Sequence, residues 1–165
     1  LVLHTSPIAH VTASLGLMMF ASIDESGEVF LYDLSDNRFI NSFKPDVLEG
    51  SYQLAITESG AIVLAVTPFL TKTSMVYMMD LYGHSLGKFE LEGEAMRIVV
   101  TVDQAGGEYA LVTLKNGEYA VFDCIKMDLV AHRKDKIDPI NVCPVPGYAK
   151  VYCIRSGSTL SVIDL

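Results

Sequence analysis

The sequence contains no tryptophan, only three cysteines in 165 residues, and few charges, 19% of the total. Each shortage excludes something. Cys124, Cys143 and Cys153 are odd in number and lack a Cys-x-x-Cys spacing, so neither a disulfide framework nor a zinc site is expected. All three read as small reduced core residues, which favours a reducing compartment. Basic residues are scarce: twelve Lys and Arg stand against twenty Asp and Glu, a formal net charge of −8. A surface of that sign does not gather nucleic acid, because phosphate contacts need Lys and Arg. No apolar run reaches the roughly 18–20 residues of a membrane-spanning helix. Leu1-Val2-Leu3-His4 has no basic segment before it and does not read as a signal peptide. The chain starts on Leu rather than Met and is expected to begin inside a larger protein.

Half of the residues are hydrophobic, which is enough to bury a core and argues against disorder. They come in short segments rich in Val, Ile, Tyr, Phe and Met, broken every 8 to 12 residues by Gly, Pro, Asn, Asp or Ser. An apolar strand ending in Asp recurs four times, at Tyr32-Asp33, Met79-Asp80, Phe122-Asp123 and Ile163-Asp164. The aspartates are 47, 43 and 41 residues apart. That is the period of a four-stranded propeller blade. Segments such as Ile62-Val63-Leu64-Ala65-Val66 are apolar at every position, which ordinarily marks a parallel sheet between helices. Here the connecting segments are too short for helices, and blades that pack both faces resolve the conflict.

The expected fold is therefore all-β, a β-propeller of about four four-stranded blades, part of a larger ring. Residues 1–165 form one partial propeller, with blades at about 4–44, 50–91, 95–135 and 137–165. The expected strands are 8–14, 17–23, 28–34 and 38–44 in the first blade, then 51–57, 61–67, 74–81 and 86–91. The third blade takes 95–102, 108–114, 118–124 and 128–132, and the fourth takes 138–143, 149–155 and 159–165 without an outer strand. Leu1-Val2-Leu3 would be the outer strand of a preceding blade. By periodicity Cys124–Arg133 also suits a short helix; the blade period favours strand. The four recurring aspartates, Asp33, Asp80, Asp123 and Asp164, are expected to be structural, each binding turn backbone at a strand end.

Residues 4–43 resemble a WD repeat. His4 stands where that family has the histidine of its Gly-His pair, Ala21-Ser22-Ile23-Asp24-Glu25-Ser26-Gly27 matches its second strand and tight turn, and Val29-Phe30-Leu31-Tyr32-Asp33-Leu34 its third strand, with Tyr32 replacing Trp. The resemblance implies a buried network of His, strand hydroxyl, turn Asp and Trp; Ser26 occupies the turn position, so only a partial network is expected. Residues 75–165 are similar to the closing propeller of BEACH-domain proteins. The likeness rests on Met79-Asp80-Leu81-Tyr82-Gly83-His84, Lys88-Phe89-Glu90-Leu91, Ala95-Met96-Arg97-Ile98, Asn116-Gly117-Glu118-Tyr119 and Arg155-Ser156-Gly157-Ser158-Thr159. Leu81-Tyr82-Gly83 keeps the glycine of that family's Ile-Asn-Gly turn but not its Asn. This resemblance implies a noncatalytic protein-binding scaffold in vesicle or endolysosomal membrane traffic, cytoplasmic and at most peripheral to membranes through its parent protein.

Catalytic and metal chemistry find little footing. His4, His10, His84 and His132 make no His-x-His or His-Glu-x-x-His pair, and no Gly-x-Ser-x-Gly occurs. Glu92/Glu94 and Asp33/Asp36 fall in expected loops, where solvation explains them. Gly106-Gly107 is not followed by Lys or a helix, as a phosphate loop would be. No enzyme and no cofactor are expected. Loops after outer strands and between second and third strands emerge on one face, which would gather Lys115, Arg133, Lys134, Lys136 and Arg155. These form a candidate docking patch for an acidic or phosphorylated protein partner. Phe69, in the longer turn from Thr67 to Thr73, is a second candidate anchor, or equally a plug folded back on the frame. An alternative reading is a small closed four-bladed propeller holding a ligand or metal in its channel, with Gln53, Thr57, Arg97, Thr101 and Asn141 nearest the axis.

Overall fold

A computed structural model describes residues 4–46, 49–134, 137, 142–145, 148, 151–156 and 159–164. These form fifteen strands and no helix. The first sheet holds β1 (Ile8–Ser14), β2 (Met19–Asp24), β3 (Val29–Asp33) and β4 (Arg38–Phe43). The second holds β5 (Gly50–Ile56), β6 (Ile62–Pro68), β7 (Thr73–Met79) and β8 (Ser85–Glu92). The third holds β9 (Ala95–Val102), β10 (Glu108–Leu114), β11 (Tyr119–Asp123) and β12 (Asp128–Arg133). The fourth holds β13 (Val142–Pro144), β14 (Val151–Ser156) and β15 (Thr159–Asp164). Every sheet is an antiparallel meander in chain order.

The sheets succeed one another through their faces. The first strands lie side by side, β1 on β5, β5 on β9 and β9 on β13. That is compatible with a propeller-like fold, though no closed ring is found among the described residues. Period-two alternation explains the doubly apolar strands. In β6, Ile62, Leu64 and Val66 join a cluster with Met19, Ala21, Ile23, Val29 and Leu31 of the first sheet. Val63 and Ala65 point the other way, into a cluster with Ala110, Val112, Leu114, Ala120 and Phe122 of the third. Leu111, Tyr119 and Val121 in turn meet Val142 and Tyr152 of the fourth. Each fully buried Leu, Ile, Val or Phe contributes about 1.5–3 kcal/mol relative to exposure, so the middle strands carry the stability. The outer strands β4 and β12 are largely exposed.

Residues 124–133 thus form a turn and a strand: β11 needs an outer partner, and β12 supplies it. Leu1–Leu3 and residues 138–141 lie outside the described residues. One expectation is corrected. Only Cys124 is a core cysteine; Cys143 is exposed and Cys153 half-buried, because Val142 and Tyr152 take the packed face of their strands.

Each third-to-fourth strand pairing carries a register shift, at Leu31/Tyr32, Met78/Met79 and Val121/Phe122. Such bulges twist an outer strand and blunt its edge. Five tight turns share one geometry: Asp24–Glu28, Thr57–Ala61, Asp80–His84, Asp103–Gly107 and Leu114–Glu118. In each, the first residue's amide donates to the fifth carbonyl, and the glycine amide at the fourth position donates to the first carbonyl. That glycine has a φ between 84° and 90°, a region costly for any residue with a Cβ. Three other turns place non-glycine residues at positive φ: Met18, Asn37 and Met127. A side chain there costs about 1–2 kcal/mol, least for Asn. Met18 is 46% exposed, whereas Met127 packs against the central cluster. Met18→Asn is therefore expected to raise stability by about 0.5–1 kcal/mol. Met127→Asn should gain nothing, because it loses packing. Denaturant midpoints for the two variants check this contrast.

Candidate functional site

In an antiparallel meander, the β2–β3, β6–β7 and β10–β11 turns leave the same end of the strands as the links between sheets. A cleft of about 530 Å³ opens there, between the β6–β7 turn, the β8–β9 link and the β10–β11 turn, lined by Thr71, Lys72, Glu92, Gly93, Glu94, Lys115 and Asn116. Its floor is rigid. The Ser74 hydroxyl donates to the Gly93 carbonyl at 2.5 Å, and the Ala95 amide donates to both the Ser74 and Thr67 hydroxyls, at 2.8 and 3.1 Å. Ser74 and Thr67 are buried. Gly93 has a φ of 142°, and a Cβ there would press on Leu114 at 3.2 Å; the close approach explains the glycine. One wall is tied to the floor by the Lys115 amide donating to the Glu94 carbonyl at 2.8 Å and by Asn116 Nδ2 donating to the Glu92 carbonyl at 3.3 Å. On the opposite rim the Thr71 amide donates to the Pro68 carbonyl at 3.1 Å, closing a tight turn that displays Phe69 and Leu70, 76% and 99% exposed. Two lysines and two glutamates face a cleft whose edge is apolar.

Lys115 lines the cleft, and Phe69 stands in the turn whose Thr71 lines it. Lys115 is not free: its Nζ donates to Glu94 Oε2 at 2.7 Å, an exposed pair worth about 0–1 kcal/mol that a ligand carboxylate can compete for. Arg133 and Lys134 are exposed at the end of β12. Arg133 pairs in register with Tyr119, and neighbouring His132 lies 3.1 Å from Glu118 in the turn that carries Lys115. Lys136 and the Arg155 side chain lie outside the described residues. Among the described residues no cluster of three or more His, Cys, Asp or Glu could hold a metal, and the cleft lining contains no His or Cys.

The aspartates sit in turns. Asp33 Oδ1 accepts from the Ser35 hydroxyl and from the Ser35 and Asp36 amides; the hydroxyl bond leads in holding its carboxyl below the ordinary range. Asp80 accepts from the Tyr82 and His84 amides at 2.8 and 2.9 Å, with His84 Nδ1 2.8 Å away. Asp123 accepts from the Ile125 and Lys126 amides at 3.0 and 2.9 Å. Burial raises both of these carboxyls, and the donors together outweigh it, so each ends lowered. The Asp164 side chain lies outside the described residues.

The network at His4 departs from expectation. Its acid is Asp24, two residues before Ser26. Asp24 Oδ1 accepts from the Ser26 amide at 3.0 Å, the Ser26 hydroxyl at 2.6 Å and the Glu28 amide at 3.1 Å, while Oδ2 lies 3.0 Å from His4 Nδ1. A carboxylate only accepts, so His4 carries a proton on Nδ1; Nε2 lies 2.6 Å from the Ser22 hydroxyl, which donates to it when the imidazole is neutral. Ser26 serves Asp24 as a donor instead of replacing it. Tyr32 takes no part: it stacks on Phe20 at 4.5 Å, and Phe30 is the ring against His4, at 4.1 Å. Burial raises the Tyr32 phenol. Of the channel candidates, Thr57 Oγ1 accepts from the Ala61 amide and Thr101 Oγ1 donates to the Tyr148 carbonyl, so both hydroxyls are committed to the frame. Asn141 lies outside the described residues.

Sequence reasoning missed Asp24, the Ser74–Thr67 pair and a latch between sheets, in which buried Glu108 accepts from the Ser59 amide at 2.8 Å and from the Ser59 hydroxyl. The recurring Asp/Thr-x-x-Gly-x spacing at residues 24, 57, 80 and 103 would have exposed Asp24 as a turn acceptor. Glu108 carries no such signal, since its partner is 49 residues away.

No family model matches this chain, and no curated protein matches it. Among solved structures, it is similar to the computationally designed Ika4 protein, at 14% identity with a TM-score of 0.67. The alignment covers 100% of this chain and 95% of that one. At that identity the likeness bears on the fold alone.

Proposed function

We propose that this chain is a noncatalytic protein-binding module: part of a WD-type propeller, similar to that of BEACH-domain scaffolds in cytoplasmic vesicle or endolysosomal traffic. Supporting this are the succession of face-packed sheets, the His4–Asp24–Ser22 network in the first of them, and the turn-and-cleft face. The observation that carries the reading is the exposed Phe69-Leu70 tip above a cleft with a hydrogen-bonded floor. An apolar anchor beside the exposed Lys115–Glu94 pair suits an extended acidic or phosphorylated peptide, with Lys72, Lys115, Arg133 and Lys134 meeting its charges. No helix among the described residues is long and apolar enough to cross a membrane; the BEACH-like reading places membrane contact, where there is any, in peripheral attachment of a parent protein.

The test is selection of displayed peptides on the folded chain. A selected peptide is expected to bind the Phe69→Ala/Leu70→Ala variant about tenfold more weakly, about 1.4 kcal/mol, with an unchanged thermal transition. Arg133→Glu/Lys134→Glu should weaken acidic peptides in particular. Peptides indifferent to both variants, or none selected, would overturn the reading. The closed-channel alternative is the weaker one, given the committed hydroxyls of Thr57 and Thr101.

A further inference from the structure

We propose that Cys143 and Cys153 form a reversible cross-strand disulfide, a redox modification site on the face of the fourth sheet that points away from the third. The two residues are register partners on adjacent antiparallel strands, between the pairs Val142↔Ile154 and Pro144↔Tyr152. Directly opposed residues in such a ladder have Cα atoms about 4.5 or 5.5 Å apart, depending on the hydrogen-bonding class. Both spacings fall within the roughly 4.4–6.8 Å that a disulfide spans. Opposed side chains also project to the same face. That face is the one turned from the third sheet: Val142 and Tyr152 are buried against the third sheet, so Cys143, Cys153 and the latter's neighbour Val162, 63% exposed, point away from it. The Cys143 sulfur already lies over its partner residue, 3.8 Å from the Cys153 carbonyl oxygen.

Both thiols are free. The third cysteine supplies the contrast. Cys124 is fully buried, and burial, with the charges of Glu108 and Asp123, pushes its thiol up to about 12. It has neither access nor thiolate character.

The oxidant is a low-molecular-weight disulfide such as glutathione disulfide. The Cys143 thiolate, the more exposed sulfur, attacks it, forms a mixed disulfide and releases one glutathione thiol. The Cys153 thiolate then attacks the Cys143 sulfur and expels the second. Two protein thiols lose two electrons and two protons, and one glutathione disulfide becomes two glutathione thiols. The product pins β13 to β14 and closes a loop of nine intervening residues, which restricts the unfolded chain.

The test treats the folded chain with glutathione disulfide, quenches with acid, and reads intact mass and a peptide map. The expected product is lighter by two hydrogens, with the Cys143 and Cys153 peptides joined, Cys124 still free, and full reversal by dithiothreitol. In Cys143→Ser or Cys153→Ser the remaining thiol has no resolving partner, so a glutathione adduct should accumulate to roughly tenfold more than in the wild type. Stable double adducts on the wild type, cross-links between chains, or no reaction at Cys143 and Cys153 would each overturn the proposal.

Discussion

Asp24→Ala is expected to destabilise the fold by about 3–5 kcal/mol, since it strips the acceptor from several donors at once in a buried site. Asp24 is 0% exposed, and the Ser26 and Glu28 amides and His4 all converge on it. Asp24→Asn should cost less, about 1–2 kcal/mol. Its Oδ1 still accepts the turn amides. The amide nitrogen now faces His4 Nδ1, but a shift of the imidazole proton to Nε2 turns Nδ1 into an acceptor and lets His4 donate to Ser22 instead. Burial raises the Asp24 carboxyl, yet the bonds from Ser26, His4 and Glu28 outweigh it and leave its pKa lowered. A group depressed in the folded state contributes fully above its unfolded pKa, about 3.9, and loses that contribution as pH falls through the folded value. Asp33, Asp80 and Asp123 are lowered too and act in the same direction. Urea unfolding between about pH 3 and 7 should therefore show wild-type stability falling on the acid side, with a shallower fall in Asp24→Asn. A loss under about 1 kcal/mol for Asp24→Ala would show that the network is dispensable.

Glu108→Ala is expected to cost about 2–3 kcal/mol. Glu108 is 3% exposed at the start of β10, and its carboxylate accepts from the amide and hydroxyl of Ser59 in the turn after β5. The link joins the second and third sheets, so its loss acts on packing between sheets rather than within one. Ser59→Ala removes one donor and leaves a buried carboxylate short of a partner, which also destabilises. Glu108→Gln keeps an acceptor for the Ser59 amide and presents a donor to its hydroxyl, so it should recover most of the difference. In a double-mutant cycle Glu108 and Ser59 should couple by about 1–3 kcal/mol. Additive single effects would show that the turn is held by its own hydrogen bonds alone.

Much of the frame was legible from the sequence, because its signals are local. The apolar segments between Gly and Asp punctuation mark strands, and the recurrence of Asp33, Asp80 and Asp123 marks the sheets they close. Each of those carboxylates finds its donors within the next four residues. At Phe69 the sequence left two readings open, an exposed anchor or a ring folded back as a plug, and the structure decides for the first by leaving the ring 76% exposed. Where local signals competed, as at residues 124–133, the demand of β11 for an outer partner prevailed.

By itself, then, the sequence determined strand content, sheet order and turn chemistry, all set by neighbours within a few residues and by period-two alternation. The tertiary structure decided the rest. It selected Asp24 over Ser26 as the acid beside His4, because only Asp24 sits where His4 and two turn amides meet. Packing against the third sheet turned Val142 and Tyr152 inward and left Cys143 outside. Three separate segments assembled the cleft beside Phe69, and Glu108 reached a partner 49 residues away. Side chains distant in the chain are brought together by the angle and register at which whole sheets pack, and no local propensity encodes that angle.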